Sequence, residues 1–210
     1  MAVPQSMSDI KSKLLRPATT SNFYCEFRPP QRAITFIKQR GVNFDKETQE
    51  LISLSCFDTS LPGSGLQTAN LQDSYTGVNE TYAYRRAYDN RADFSFYVDH
   101  NDGEKGYNVI LFFENWIAYI ANEQYDGGPV PIENPNYFYQ MNYPENYLGQ
   151  VTIKKFEKDH QRTDKGRSLL YTLHYAFPLS MTSMPVSYEA SQVLKCTVSF
   201  SYQRYSVVRN

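Results

Sequence analysis

The chain has 210 residues, enough for one or two domains, and its charges nearly cancel, with 21 Lys and Arg against 22 Asp and Glu. This balance argues against a dedicated nucleic-acid binder, in which basic residues normally outnumber acidic ones, and 41% hydrophobic residues argue against a disordered chain. Tyrosine is abundant, with 18 Tyr beside 13 Phe and 1 Trp, and because Tyr joins an apolar ring to a polar tip, it suits strands and protein–protein surfaces.

No segment of the sequence has the pattern of a signal peptide or a membrane-spanning helix. The first 17 residues lack an apolar run of signal-peptide length. The most apolar stretch, Tyr107–Ala121, is interrupted by polar residues and is shorter than the ~20 residues that a spanning helix needs. The cysteines Cys25, Cys56 and Cys196 stand far apart in strand-like surroundings. We therefore expect a soluble chain without a cleaved signal, with reduced core cysteines and a reducing compartment around it.

The first quarter of the chain contains short predicted elements separated by turns. In order, these are a short helix at Ser8–Leu15, a strand at Asn22–Phe27, an ambiguous apolar segment at Ala33–Lys38 and a strand at Leu51–Phe57. The first strand is predicted from alternating apolar residues, and Pro29-Pro30 ends it. The second strand leads into a turn that is rich in Pro and Gly.

Leu66–Tyr88 is predicted to form a two-stranded ribbon that turns at residues 76–79. Its alternating residues are mostly Tyr, Thr, Ala and Arg, and a ribbon with so little aliphatic content is marginal alone in water. Either this ribbon moves or it docks on another surface. Arg and Tyr are enriched at protein interfaces, so we favour a subunit contact over single-stranded nucleic acid, which such residues also bind. The candidate contact residues are Tyr75, Tyr82, Tyr84, Arg85, Arg86, Tyr88 and Arg91.

The second half contains the clearest helix and the clearest strand. A strand at Asp93–Asp99 precedes a helix with apolar residues at i, i+3, i+4, i+7, i+8 and i+11. These apolar residues are Val109, Phe112, Phe113, Trp116, Ile117 and Ile120. Glu123–Leu148 lacks a period and is predicted to be a long surface insertion. Strands are predicted at Gln150–Phe156 and Leu169–Phe177, and Leu194–Gln203 alternates apolar and polar residues along its length.

Many short strands around one helix predict an α+β fold that is mainly β. We expect an antiparallel two-sheet sandwich or barrel with one packed amphipathic helix and the long ribbon protruding from it. The whole chain, 1–210, is expected to be one domain, in which 66–88 is the ribbon and 123–148 the surface insertion.

The sequence predicts no catalytic, cofactor-binding or metal site. The histidines His100, His160 and His174 are scattered without metal-ligand spacing. The segment from Asp99 has some calcium-loop character, but Ile110 stands where a calcium loop needs a bidentate Glu. Phosphate-binding Gly loops and nucleophile elbows are missing from the sequence, and no spacing singles out a pair of carboxylates. We therefore expect a protein that is not an enzyme.

Taken in order, these elements resemble those of the tail tube proteins of contractile-tailed bacteriophages. The matching features are the short helix before Arg16-Pro17, the strand Asn22–Phe27, the segment Ser53–Gly63 with its Leu-Pro turn, the long ribbon with its Arg-rich return, and the Trp116 helix. At the C-terminal end, Tyr175–Leu179 leads through Met184–Tyr188 to the alternating final strand. This block is similar to the family's Pro-containing turn, short strand and closing strand.

The resemblance implies a structural virion protein that forms the inner tail tube as stacked hexameric rings around a channel for genome passage. The implied partners are further copies of the chain, the tail sheath protein, baseplate and neck or terminator proteins, and the tape-measure protein. Double-stranded DNA would pass through the lumen without sequence-specific binding. No cofactor and no membrane contact are implied. The implied location is the phage tail, assembled in the host cytoplasm.

Two alternatives remain open at this point. The insertion at Glu123–Leu148 also suits a tube initiator or terminator of the same fold at the baseplate or neck. In a different class, a Tyr-rich β fold suits a carbohydrate-binding module, whose aromatic side chains would stack on sugars. A glycan hydrolase would additionally need two carboxylates about 5–9.5 Å apart.

Overall fold

Antiparallel strands make up most of the structure, a computed structural model that describes residues 18–72, 77, 79–100, 106–122, 141–157, 168–188 and 192–209. Within these ranges the strands are β1 (Phe23–Arg28), β2 (Cys56–Thr59), β3 (Ser64–Gln72), β4 (Asn79–Tyr88), β5 (Arg91–Tyr97), β6 (Gly149–Phe156), β7 (Ser168–Met181), β8 (Lys195–Ser201) and β9 (Arg204–Arg209). The helices are α1 (Gln31–Gln39), α2 (Lys46–Ser55), α3 (Asn108–Ile120) and α4 (Pro144–Tyr147). The predicted class, mainly β with antiparallel strands, is confirmed.

Seven strands form one sheet in the order β1-β6-β7-β8-β5-β2, and β9 pairs with β7 off this path. The long strand β7 changes partner along one edge. Its first part pairs with β9 up to His174, opposite Arg204, and its second part pairs with β8 from Phe177, opposite Ser201. Tyr175 lies at this changeover and has a left-handed backbone, with φ of 56°. The sheet therefore has two halves that meet in the middle of β7.

The core shows that the two halves of the sheet face each other. The Phe27 ring of β1 lies 5.2 Å from Phe94 of β5 and 5.5 Å from Phe200 of β8, centroid to centroid. In a flat sheet, β1 and β5 would stand four strand spacings apart, roughly 19 Å. The sheet must therefore fold over on itself, as the predicted sandwich or barrel requires.

Helix α3 fills this core and confirms the predicted helix. Phe112, Phe113 and Trp116 are completely buried, and the Trp116 indole lies 5.8 Å from Phe200. The indole N–H donates to the carbonyl of Tyr147 in α4 (3.3 Å). The apolar stripe thus packs the helix against the sheet, as expected from its period of 3.6 residues.

The prediction of a strand at 51–57 is wrong, because most of this segment forms α2. Ile52 is buried while Leu54 is 73% exposed, and the hydroxyls of Ser53 and Ser55 donate to backbone carbonyls four residues earlier. Both hydroxyls thus find their acceptors within the helix itself. Only Cys56–Thr59 continues as a strand.

The ambiguous segment at 33–38 belongs to α1, so the expectation of one packed helix is also wrong. Ala33 and Ile37, four residues apart, are both fully buried. Gly41 ends the helix with a φ of 82°. Its N–H donates to the Lys38 carbonyl (3.1 Å), and the N–H of Val42 donates to the Ile37 carbonyl (3.3 Å). This is a Schellman motif, for which Gly is the preferred residue.

The predicted strands at 22–27, 93–99, 150–156, 169–177 and 194–203 are confirmed as β1, β5, β6, β7 and β8, whereas β9 was not predicted. Cys25, Cys56 and Cys196 are buried and free, as expected. Every described helix falls short of the length and apolar character needed to cross a membrane. The predicted helix at 8–15 and most of the insertion at 123–148 lie outside the described residues.

Candidate assembly surface

Strands β3 and β4 form the predicted ribbon as a sheet of their own. Their register runs from Ser64 opposite Tyr88 at the base to Gln72 opposite Asn79 near the tip. Within the described ranges, neither strand pairs with any other. The ribbon is therefore held to the rest of the chain only at its base.

A β-bulge decides which side chains share a face of the ribbon. The register shifts between Gln67 and Thr68, which leaves Tyr84 as an extra residue in β4. The Tyr84 hydroxyl donates to the Gln67 side chain (3.3 Å), so Tyr84 and Arg85 both lie opposite Gln67. Alternation along the strands then defines an aromatic face with Gln67, Ala69, Leu71, Glu80, Tyr82, Tyr84 and Arg85. The opposite face carries Ser64, Leu66, Thr68, Asn70, Thr81, Ala83, Arg86 and Tyr88.

The aromatic face has large apolar side chains that its own chain leaves exposed. Leu71, Tyr82 and Tyr84 are 60%, 53% and 68% exposed. The Tyr82 hydroxyl donates to the carboxylate of Glu80, and this hydrogen bond raises the pKa of Tyr82 above its ordinary value. Apolar groups that are clustered and exposed in this way mark an interaction surface.

At the base of the ribbon, the opposite face packs against β9. The Tyr88 ring meets the Tyr205 ring edge to face at 5.5 Å. The Arg86 guanidinium lies 4.8 Å from the centre of the Tyr88 ring and 5.6 Å from that of Tyr205, and it donates to the Ser64 hydroxyl (3.1 Å). This cation–π cluster covers one side of the base and leaves the aromatic face open.

The predicted contact residues therefore fall into separate places. Tyr82, Tyr84 and Arg85 share the aromatic face, whereas Arg86 and Tyr88 turn towards Tyr205. Arg91 lies off the ribbon in β5, where its guanidinium donates to Ser199 (2.8 Å) and Asp93 (3.3 Å). Tyr75 lies outside the described residues. The sequence pattern could not separate these positions, because the bulge changes the alternation within β4.

Leu71 and Glu80 also belong to the aromatic face, and sequence reasoning missed both. The signal was present in the sequence, because Leu71 is an isolated aliphatic residue in an arm that is otherwise largely polar. Their cross-strand pairing in the ribbon places them beside Tyr82.

A second exposed apolar surface lies near the end of β5 and was not predicted as a contact site. We call it the groove. It has a volume of about 870 Å³, and its lining includes Tyr97, Pro185, Val186, Val193, Leu194 and Lys195. Val186 and Val193 are largely exposed. In the sequence, the Met-Pro-Val segment at 184–186 was the only pattern that could have pointed to this surface.

One side of the groove is ordered by an aromatic stack. The Tyr97 ring stacks on Phe57 of β2 at 4.2 Å. The Lys195 ammonium lies 5.2 Å from the Phe57 ring centre and 5.8 Å from that of Tyr97. The groove thus combines apolar walls with one cation held over aromatic rings.

The described residues bring together no group of three or more His, Cys, Asp or Glu side chains that could hold a metal ion. His174 contacts Ser206, with Nε2 and Oγ 2.9 Å apart. The candidate site of this chain is thus a pair of contact surfaces, the aromatic face and the groove.

Comparisons with known proteins identify the family and the fold of the chain. A family model described as phage tail tube protein matches residues 18–208. No curated protein sequence matches the chain. Several solved structures are similar in fold at low sequence identity.

One similar structure is from the baseplate of the anti-feeding prophage, solved with 6-fold symmetry. It has a TM-score of 0.55 and 13% identity, covering 92% of this chain and 97% of that chain. Another is from the PVC extracellular contractile injection system, in its extended sheath–tube complex. It has a TM-score of 0.55 and 12% identity, covering 99% of this chain and 100% of that chain. A third, from the tube-terminating cap of the anti-feeding prophage, has a TM-score of 0.53 and 12% identity, covering 93% of each chain.

Proposed function

This chain belongs to the phage tail tube protein family, and from that membership we propose that it is a subunit of the inner tube of a contractile phage tail. Membership of this family makes it a tail-tube-like structural protein of the virion and not an enzyme. In the proposed role, six copies form a ring, and rings stack around a channel through which the genome passes. The chain acts as one domain, 1–210, and assembles in the host cytoplasm.

The observation that carries the proposal is the ribbon with its uncovered aromatic face. Tyr82 and Tyr84 extend from a two-stranded sheet that buries no core of its own. Ring closure and stacking require head-to-tail interfaces, in which one surface of a subunit meets a different surface of the next. A ribbon that is anchored at its base and exposed along its length supplies such a surface. In this proposal Tyr75, Arg85, Arg86, Tyr88 and Arg91 contribute further contacts.

The proposed partners follow from the same role. They are further copies of this chain, the tail sheath, baseplate and neck or terminator proteins, and the tape-measure protein in the lumen. The fold neighbours come from a sheath–tube complex and from a baseplate solved with 6-fold symmetry, which supports six-membered rings and contact with sheath and baseplate. A net charge of −1 suits a channel that lets DNA pass without holding it.

A second candidate is a tube initiator or terminator of the same fold. It is favoured by the similarity to a tube-terminating cap, whose TM-score of 0.53 is almost equal to that of the tube complex. A terminator would form single rings without further stacking. Family membership decides against the carbohydrate-binding class.

The test is negative-stain electron microscopy of the purified chain over a concentration series, with and without the ribbon. In the truncated variant, an Asn-Gly turn replaces residues 65–87. Ser64 and Tyr88 are cross-strand partners at the base, so a two-residue turn can join them and Tyr88 stays against Tyr205.

We expect the full chain to form stacked rings with a central hole and the truncated variant to form none. Isolated rings of the full chain would favour the initiator or terminator. Monomers at every concentration would overturn the assembly role. Normal stacks of the truncated variant would show that the ribbon is not the contact arm.

A further inference from the structure

We infer that the groove of one copy receives the aromatic face of the ribbon of another copy. This inference rests on the proposed function, because it assumes that copies of the chain assemble with one another. The groove is the surface that the ribbon meets in this assembly.

The aromatic face needs a partner outside its own chain. At the base, the Tyr88 ring and the Arg86 guanidinium of the opposite face pack against Tyr205. Beyond this base, β3 and β4 pair only with each other among the described strands. The side chains of Leu71, Tyr82 and Tyr84 therefore remain in water until a second molecule covers them. A buried aromatic side chain removes about 150–250 Å² from water, so this face can contribute substantially to binding.

The groove offers matching chemistry. Its walls include Val186 and Val193, which are largely exposed in the single chain. Two flat aromatic side chains and a Leu are suited to such walls. With a volume of about 870 Å³, the groove has room for several side chains of a partner.

Charge complementarity favours the same pairing. Glu80 stands on the aromatic face beside Tyr82, to which it is hydrogen-bonded. Lys195 lies in the groove over the rings of Phe57 and Tyr97. The aromatic face also carries Arg85, but Arg85 lies opposite Gln67 nearer the base, whereas Glu80 lies opposite Leu71. Pairing Glu80 with Lys195 therefore attracts the Leu71 end of the face to the groove and sets the orientation of the ribbon.

The two surfaces also satisfy the symmetry that a tube requires. They consist of different residues on different strands of one chain, so every copy carries one donor and one acceptor. An interface of this heterologous type propagates from copy to copy instead of stopping at a dimer. Because rings present many copies at once, a modest single contact is strengthened by multivalency.

The experiment mixes two variants that are each defective on one side. The ribbon variant is Tyr82→Ser with Tyr84→Ser, and the groove variant is Val186→Asp with Val193→Asp. All four side chains are exposed, so the substitutions leave the core intact. Assembly is followed by sedimentation velocity and electron microscopy of each variant alone and of the 1:1 mixture.

We expect each variant alone to need at least about tenfold higher concentration for stacking than the wild type, the effect of losing a hot-spot contact. In the mixture, the intact groove of the ribbon variant binds the intact ribbon of the groove variant. Complexes of the two variants then form at concentrations at which neither variant assembles alone. This complementation also shows that both variants are folded.

Three results would overturn the inference. If the wild type stacks, the ribbon variant does not and the groove variant stacks normally, the groove is not the acceptor, while the proposed function stands. The same conclusion follows if both variants fail alone and the mixture forms no complex. If the wild type itself forms no assemblies, the proposed function fails and the inference fails with it.

A matched pair of Leu substitutions tests which face of the ribbon binds. Leu71 and Leu66 lie in the same strand, are 60% and 66% exposed and point to opposite faces. Leu71→Ser is expected to weaken stacking several-fold, whereas Leu66→Ser should leave it unchanged. A larger effect of Leu66→Ser would assign docking to the opposite face and contradict the inference.

Discussion

At the scale of single residues, hydrogen-bond partners decide what a charged side chain contributes. On the side of the sheet that faces away from the core, Ser199 donates to the Asp93 carboxylate, and Arg91 donates to both residues. The hydrogen bond from Ser199, opposed by partial burial and helped by Arg91, holds the pKa of Asp93 below its ordinary value. Charged Asp93 is therefore favoured in the folded chain.

We expect Ser199→Ala to lower the free energy of unfolding near neutral pH by at most about 1 kcal/mol, since the side chain of Asp93 is 55% exposed and its charge is screened by water. A carboxyl group whose pKa is lowered by folding stabilises the fold above its ordinary pKa of about 3.9 and loses that effect as pH falls through the folded value. The difference between wild type and variant should therefore shrink in acid. Urea unfolding at pH about 6 and about 2.5, followed by Trp116 fluorescence, measures it.

The control for this prediction is Ser95→Ala. Ser95 lies in the same strand as Asp93, but its hydroxyl pairs with the Thr197 hydroxyl (3.0 Å) and not with a carboxylate. Its cost should not depend on pH in this range. A cost of Ser199→Ala that is equally independent of pH would contradict the role given to Asp93.

At the scale of elements, one glycine allows β6 to begin where it does. A Cβ at Gly149 would lie 2.6 Å from the Arg28 carbonyl oxygen, 3.0 Å from Cζ2 of Trp116 and 3.2 Å from Cα of Pro29. The end of β1, the start of β6 and α3 therefore meet at a point that has no room for a side chain. Close approach of this kind is a recognised use of glycine in strands.

We expect Gly149→Ala to lower the free energy of unfolding by about 1–3 kcal/mol, because backbone and a buried indole must move to admit the methyl group. Gly65→Ala in the ribbon is the matched control, since a Cβ there meets nothing within 4 Å. Its effect should stay within about 0.5 kcal/mol. Urea denaturation of the two variants provides the comparison, and equal costs would contradict the close contact.

At the scale of the whole molecule, aromatic packing joins strands that lie far apart in the sheet. The Phe27 ring of β1 contacts Phe94 and Phe96 of β5, Phe113 of α3 and Phe200 of β8, all at centroid distances between 5.2 and 5.6 Å. These contacts close the folded sheet around the helix. The cluster therefore links both halves of the sheet to α3.

We expect Phe27→Ala to lower the free energy of unfolding by about 3–5 kcal/mol, the usual cost of removing a fully buried Phe. Phe57→Ala removes a ring that stacks on Tyr97 outside the core and should cost less than half as much. Chemical denaturation with circular dichroism measures both. If Phe27→Ala costs no more than Phe57→Ala, the sheet is not closed by this cluster.

Elements with a strong and uninterrupted period could be predicted from the amino-acid sequence alone. The apolar stripe of α3 and the alternation in β1, β5 and β8 identified these elements, because a buried face repeats at the period of its backbone. The same reasoning identified the ribbon as a surface lacking its own core. Together with the order of the elements, this was enough to find the family resemblance.

Features that depend on contacts between residues far apart in the sequence could not be predicted and emerge from the fold. Helix α2 has a weak apolar period, so its sequence also suits a strand. Burial of Ile52 against the sheet favours the helix over the strand. The bulge at Tyr84 sorted the ribbon side chains into two faces, and packing on Tyr205 holds the base of one of them. The groove draws its walls from segments nearly a hundred residues apart, from Tyr97 to Lys195. No local pattern encodes such a surface, because its residues become neighbours only when the sheet has formed.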